Sequence, residues 1–140
     1  YKAIKAAQYD RLEKIKNSLW VAAMVVQVKR QKYFRWHDAG DVQDLDHLNK
    51  IYSVCKLTPE VKHWMPTREA WIKNYLYNKP ANLVIRFSPP MIGQRNDSWP
   101  NSSMVVESGA TCPAPNQGGK CGDCRACWDP LVKVVSYGKH

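Results

Sequence analysis

The sequence predicts an α/β fold: a short parallel sheet from βαβ units, partial-barrel-like, behind two N-terminal helices. Three observations predict it. Apolar runs of five residues, 33–37, 61–65 and 83–87, have the length and β-branched or aromatic content of strands. Helix-period segments separate them, over 44–56 and 69–78. A helix between successive strands carries the chain back to the starting edge, which requires parallel pairing through right-handed crossovers.

The elements follow in order. Residues 2–16 and 18–31 form two amphipathic helices, with Ile4, Ala7, Leu12 and Ile15 on the apolar face of the first. Leu19, Ala22, Ala23, Val26 and Val28 mark that face on the second, and Asn17 or Ser18 caps the junction between them. The first strand, YFRWH, ends at Asp38-Ala39-Gly40-Asp41; the second, VKHWM, ends at Pro66-Thr67-Arg68-Glu69. LVIRF is the third strand, and Met104–Glu107 is expected to be a fourth. From Ser88 the character changes, because residues 88–120 contain five prolines and four glycines. The chain therefore reads as one domain over 1–140, with basic helices over 1–32, a βαβ core over 33–107 and a loop-rich C-terminal segment over 108–140.

Composition bounds the function. With 140 residues, 44% hydrophobic and 24% charged, the chain has an ordinary globular balance. Its longest apolar stretch, Leu19–Val26, is far short of a membrane span, and no secretory leader is visible, so no membrane partner is expected. Five cysteines without a leader fit a reducing, cytoplasmic compartment. The chain opens on Tyr1 with a helical pattern already under way, so a segment upstream of Tyr1 is an open expectation. Net charge is +9, and residues 1–35 hold nine Lys/Arg against two acids, +7 of that total. Such a face attracts nucleic acid or an acidic partner, or is simply a solvated helix surface.

Four of the five cysteines fall within sixteen residues: Cys112, Cys121, Cys124 and Cys127, spaced C-x8-C-x2-C-x2-C. This makes 108–140 a metal-binding segment. Tetrathiolate zinc sites pair two C-x2-C knuckles a dozen or more residues apart. A contiguous C-x2-C-x2-C run instead suits a [4Fe–4S] cubane, in which each sulfur reaches a different iron. Zinc, disulfides and free thiols remain the alternatives. Gly118, Gly119 and Gly122 permit close backbone approach, Lys120 and Arg125 offset negative charge, and Trp128 shields the centre. Cys55, alone on a helical pattern, reads as a small core hydrophobe.

The strand ends form a second candidate site, since open parallel sheets and barrels bind ligands beyond the carboxyl ends of their strands. His37, Asp38 and Asp41, Thr67, Arg68 and Glu69, and Arg86 with Ser88 would gather there. Arg68 and Arg86 suit a phosphate or carboxylate, and His37 or Asp38 suits proton transfer. The alternative is that these residues cap helices and pair locally. His63 lies within a strand, and His47 is expected on a helix surface.

The segments FRWHDAGD, VKHWMPTRE and CPAPNQGGKCGDCRACW resemble a group of uncharacterised phage- and plasmid-borne proteins of radical-SAM-like appearance. The resemblance spans roughly residues 7–140, and the cysteine tail is its most specific part. It implies a Cys-x3-Cys-x2-Cys-like S-adenosylmethionine cluster site upstream of the first helix, yet no cysteine precedes Cys55. What it implies for this chain is a barrel-derived scaffold holding an auxiliary-type cluster at Cys112, Cys121, Cys124 and Cys127. The protein would then be an iron–sulfur enzyme or enzyme remnant of phage origin in the host cytoplasm. Two other readings stand beside it: a zinc-braced basic module that contacts nucleic acid, and a metal-stapled component of a phage assembly.

Overall fold

A computed structural model describes residues 13–37, 41–117 and 120–138. Its centre is a curled, half-barrel sheet of five parallel strands in sequential order. These are β1 (Tyr33–Arg35), β2 (Lys62–Thr67), β3 (Leu83–Phe87), β4 (Ser102–Val106) and β5 (Val134–Gly138). The expected parallel α/β architecture is therefore present. The fourth strand begins two residues before its expected start. β5 was not expected, although its Val134-Val135-Ser136-Tyr137 run has strand composition.

Two α-helices described in full pack on the helical face. α1 (Trp20–Val28) packs through Trp20, Val21, Met24, Val25 and Val28 against the main core. This is not the face read from periodicity. Leu19, Ala22, Ala23 and Val26 are exposed, because the larger Trp20 and Met24 bury more apolar area on the neighbouring stripe. Asn17 caps the turn before α1, its Oδ1 accepting from the Leu19 amide at 2.9 Å. The apolar face expected over 2–16 falls mostly outside the described residues.

α2 (Leu45–Leu57) is the β1–β2 crossover. The Asp44 carboxylate accepts from the His47 amide at 2.8 Å, Asp46 occupies the first turn and Lys56 the last, matching the helix dipole. Leu48, Ile51, Tyr52, Val54 and Cys55 face the core. The next crossover, Ala70–Asn78, is a 3₁₀ helix where an α-helix was expected. Nine residues rise about 18 Å as 3₁₀ but only about 13.5 Å as α. The longer reach suits a return along β2, whose six residues span about 20 Å.

Side chains alternate across the sheet. Met65, Leu83, Ile85 and Phe87 point into the helical core, where Phe87 stacks on the buried Trp99 at 4.9 Å. Trp64 and Val135 belong instead to a second apolar cluster, with Cys127, Cys112, Ala126, Trp128, Val132 and Tyr137. The cysteine segment, the β4–β5 connection over 107–133, thus covers one face of the sheet. Five register pairs join β4 to β5, but only Phe87↔Ser102 joins β3 to β4. That joint needs side-chain reinforcement.

Candidate metal centre

Hydrogen bonds fasten the cysteine segment at both ends. At its start the Cys112 amide donates to Ser136 O at 2.9 Å, and Thr111 and Ser136 exchange amide-to-hydroxyl bonds of 2.8 and 2.9 Å. At its end Trp128 Nε1 donates to Phe34 O at 3.0 Å. Between them, Gln117 Nε2 donates to the carbonyls of Lys120 and Cys121, and Arg125 donates to those of Gly122 and Cys124. Gly122 has φ +57°, a conformation that a side chain would strain.

All four clustered cysteines are free thiols and line one pocket, together with Trp128 and Val135. The pocket has about 300 Å³ of atom-free space, part of it open to solvent, of which about 20 Å³ can take the centre of a water molecule. Cys127 forms the buried side, Cys112 and Cys124 are half-buried, and Cys121 is exposed. Burial pushes the Cys127 thiol up, while the Tyr137 hydroxyl, 3.1 Å from its sulfur, and Arg86 pull it back; Cys112 and Cys121 add further upward pressure. Among the described residues no three His, Cys, Asp or Glu side chains stand as one group able to hold a metal ion. The thiols frame a space rather than meeting at a point.

Arg86 is the other half of this site. It is 0% exposed and donates to six carbonyls: Ala126, Cys127, Asp129, Val132, Lys133 and Ser102. The guanidinium therefore joins β3 to β4 and to the residues leading into β5, and anchors the last cysteine turn. None of the ion pairs among the described residues includes Arg86. Burial lowers its pKa; Cys127 is the first group that raises it, followed by Tyr137 and Asp129. Two further donors are buried without a partner, Trp64 Nε1 and Arg125 Nε. Trp64 packs in the same cluster as Cys112 and Cys127, and Arg125 adjoins that turn. The buried Arg86 cation, held on the carbonyl of Cys127, suits an anionic thiolate group in this segment.

The expected strand-end site resolves into separate pieces. Asp41 Oδ1 accepts from Thr67 Oγ1 and the Val42 amide, both at 2.7 Å, and Oδ2 accepts from the Arg68 amide at 2.8 Å. The carboxylate thus ties the β1–α2 connection to the end of β2, and the Arg68 side chain stays exposed. Thr67 Oγ1 accepts from the Glu69 amide, Glu69 accepts from Trp71 Nε1, and Ser88 bonds Ser103 at 2.9 Å. Arg86 lies on the cysteine face with its nitrogens committed, so it cannot clamp an anion with Arg68. His37 has φ +59°, a buried Nε2 without a partner, and a pKa lowered by burial and partly restored by Asp41. Asp38 and Gly40 lie outside the described residues, as do Gly118, Gly119 and His140.

Other expectations sort as follows. Cys55 is a core residue, and burial pushes its thiol up to about 12. His47 is buried rather than on the helix surface: its Nδ1 accepts from the Gln43 amide, and burial lowers its pKa to about 4. His63 Nδ1 accepts from Trp36 Nε1 at 3.0 Å. Its Nε2 lies 2.9 Å from Thr58 Oγ1, which donates to Val54 O. His63 is thus a neutral structural histidine. Of the basic N-terminal segment, residues 13–35 are described; Lys29, Arg30 and Lys32 are exposed. Sequence reasoning missed Tyr137 and Trp64 as neighbours of the cysteines and misplaced Arg86. The available signal was an arginine inside an apolar strand, which must find acceptors across the sheet.

No helix among the described residues is long and apolar enough to cross a membrane. No curated protein matches the chain, and no solved structure does. One family match covers residues 1–106, 106 of the 140, and its description is Gene product 88. The match ends six residues before Cys112 and brings no radical-SAM or cysteine-cluster assignment with it. Membership accordingly rests on the N-terminal residues through the first four strands. On that ground the chain belongs to the Gene product 88 family of phage-type proteins.

Proposed function

We propose that this protein is an iron–sulfur protein in which Cys112, Cys121, Cys124 and Cys127 hold a [4Fe–4S] cluster against the sheet. The observation that carries the reading is that all four clustered thiols line one pocket. The contiguous C-x2-C-x2-C spacing favours a cluster over a single ion. Four sulfurs on one zinc lie about 3.8 Å apart at tetrahedral 2.3 Å bonds, whereas cubane ligands each take a separate iron and stand wider. The buried Arg86, which the Cys127 thiol faces electrostatically, supports an anionic occupant.

When bound, such a cluster supplies one-electron transfer or a structural cross-link. The chain's own residues do the rest. Trp128 and Val135 keep water from the pocket, Tyr137 donates a hydrogen bond toward the Cys127 sulfur, and Arg86 neutralises charge while fixing the Cys127 turn. Binding displaces the thiol protons, so loading weakens as pH falls. A reducing host cytoplasm is the compartment that keeps these thiols available. The cluster reading accommodates either an enzyme or an enzyme remnant on the half-barrel scaffold.

The test is anaerobic purification followed by a visible spectrum and metal analysis. Four irons per chain with broad visible absorbance, lost in Cys124→Ser, are expected. A colourless protein with one zinc per chain would replace the cluster by zinc. A folded, metal-free protein with four titratable thiols after reconstitution would reject the centre altogether.

A further inference from the structure

The paired strands β1 and β2 carry a checkerboard of rings and cations at one edge of the sheet. In the parallel register Tyr33 pairs with Lys62, and Arg35 pairs with Trp64. The Arg35 guanidinium lies 4.8 Å from the Trp64 ring centroid, and Lys62 Nζ lies 5.9 Å from that of Tyr33. Arg125 crosses from the cysteine segment, 4.8 Å from Tyr33 and 5.9 Å from Trp128. Arg35 and Lys62 are exposed, and none of these three cations has a carboxylate partner among the described residues. Rings rather than ion-pair partners hold them, which leaves the N–H donors of Arg35 and Lys62 available to a ligand.

Beside this array opens a cleft of about 800 Å³ whose walls include Tyr33, Lys62, Arg125 and Trp128. Glu60 and Asp129 also line it, so the cleft's own charge is close to balanced. A bare polyanion gains little there. A ligand that offers flat rings to Tyr33 and Trp128 and phosphates to the exposed cations gains from both. Tyr33 and Arg35 are two residues apart on one strand, about 6.6 Å, so the array extends beyond a single stacked base. We infer that this edge of the sheet is a binding surface for single-stranded nucleic acid, with bases stacking on Tyr33 and Trp128 and backbone phosphates meeting Arg35 and Lys62. The surface requires no metal chemistry.

The test is fluorescence anisotropy with a labelled deoxythymidine strand of about 12 nucleotides, titrated with the full chain from about 50 to 200 mM salt. Binding should be tighter to the single strand than to the matching duplex, whose bases are stacked away. The exposed pair Arg35→Ala/Lys62→Ala should reduce the log–log salt slope by roughly 1.4, about 0.7 for each phosphate left without its cation. Tyr33→Leu, which keeps apolar bulk, should weaken binding roughly tenfold with the salt slope unchanged. Metal content should be the same in all three proteins, which separates failure here from failure of the cluster reading. Absence of binding at low salt, equal affinity for the duplex, or unchanged affinity and slope in the variants would each overturn the inference. Inorganic polyphosphate competing as well as the strand would show charge alone at work and reject it too.

Discussion

Replacing Arg86 by methionine probes fold and site at once. The side chain keeps its length and loses the guanidinium, so every carbonyl that it served loses a donor. Four of the bonds are short: 2.7 Å to Val132, 2.8 Å to Asp129, 2.9 Å to Ala126 and 3.0 Å to Cys127. Each bond from a charged donor contributes about 1.5–3 kcal/mol, and they share one group, so their sum overstates the loss. Relief of the buried charge returns several kcal/mol. The balance is a destabilisation of about 3–5 kcal/mol, a third or more of a typical domain's stability. Urea unfolding followed by tryptophan fluorescence measures it, and amide exchange over 107–138 should show that the cysteine segment loosens first. If a thiolate–metal group supplies the counter-charge, the loss should be larger in the metal-loaded protein, with metal affinity down about tenfold for each 1.4 kcal/mol of difference. An Arg86→Met protein within about 0.5 kcal/mol of the parent, with unchanged exchange in the segment, would refute the assignment of Arg86 as its anchor.

Tyr137→Phe removes the hydroxyl 3.1 Å from the Cys127 sulfur; if the proposed cluster binds there, its midpoint potential should fall by on the order of 50 mV, read by redox titration, and no shift would mean that the hydroxyl does not reach the centre. His63 gives a stability that depends on pH. Burial lowers its folded pKa to about 4 against 6.5 when unfolded, so the unfolded chain binds the extra proton between those values. The stability is present above pH 6.5 and is lost as pH falls toward 4, on the order of 3 kcal/mol in all. Urea midpoints at pH 7 and 5 should diverge less in His63→Gln than in the parent, and an equal divergence would count against it. Asp41→Asn places an NH₂ against either the Thr67 hydroxyl or the Arg68 amide, and should cost about 1–2 kcal/mol in the same unfolding assay. Its iron content and strand affinity should not change.

The parallel sheet was legible because its signal is local: apolar five-residue runs, helix-period spacers, and a capping Asp44 all speak within a few positions. β5 escaped notice since its valines follow directly on a proline-rich, cysteine-rich stretch and carry no crossover helix before them. The apolar face of α1 was misread for a related reason. Several stripes of that helix are apolar, and only the neighbouring Trp36 and the α2 packing select Trp20, Val21, Met24 and Val25. The strand-end residues could not be sorted into ligands and caps from sequence, because polar residues at loop starts satisfy backbone donors as readily as ligands, as Asp41 and Thr67 do.

By itself, the sequence determined the α/β class, the parallel pairing implied by its crossovers, and the contiguous cysteine run whose spacing favours one centre. Tertiary structure decided where that run sits. It folds across one face of the sheet, where Trp64 and Tyr137 meet it and the buried Arg86 finds its six acceptors on residues 16 to 47 positions away. Spacing along the chain encodes which sulfurs share a turn. The charge and the hydrogen bonds they meet come from strands that are close only after the sheet has closed its β3–β4 joint.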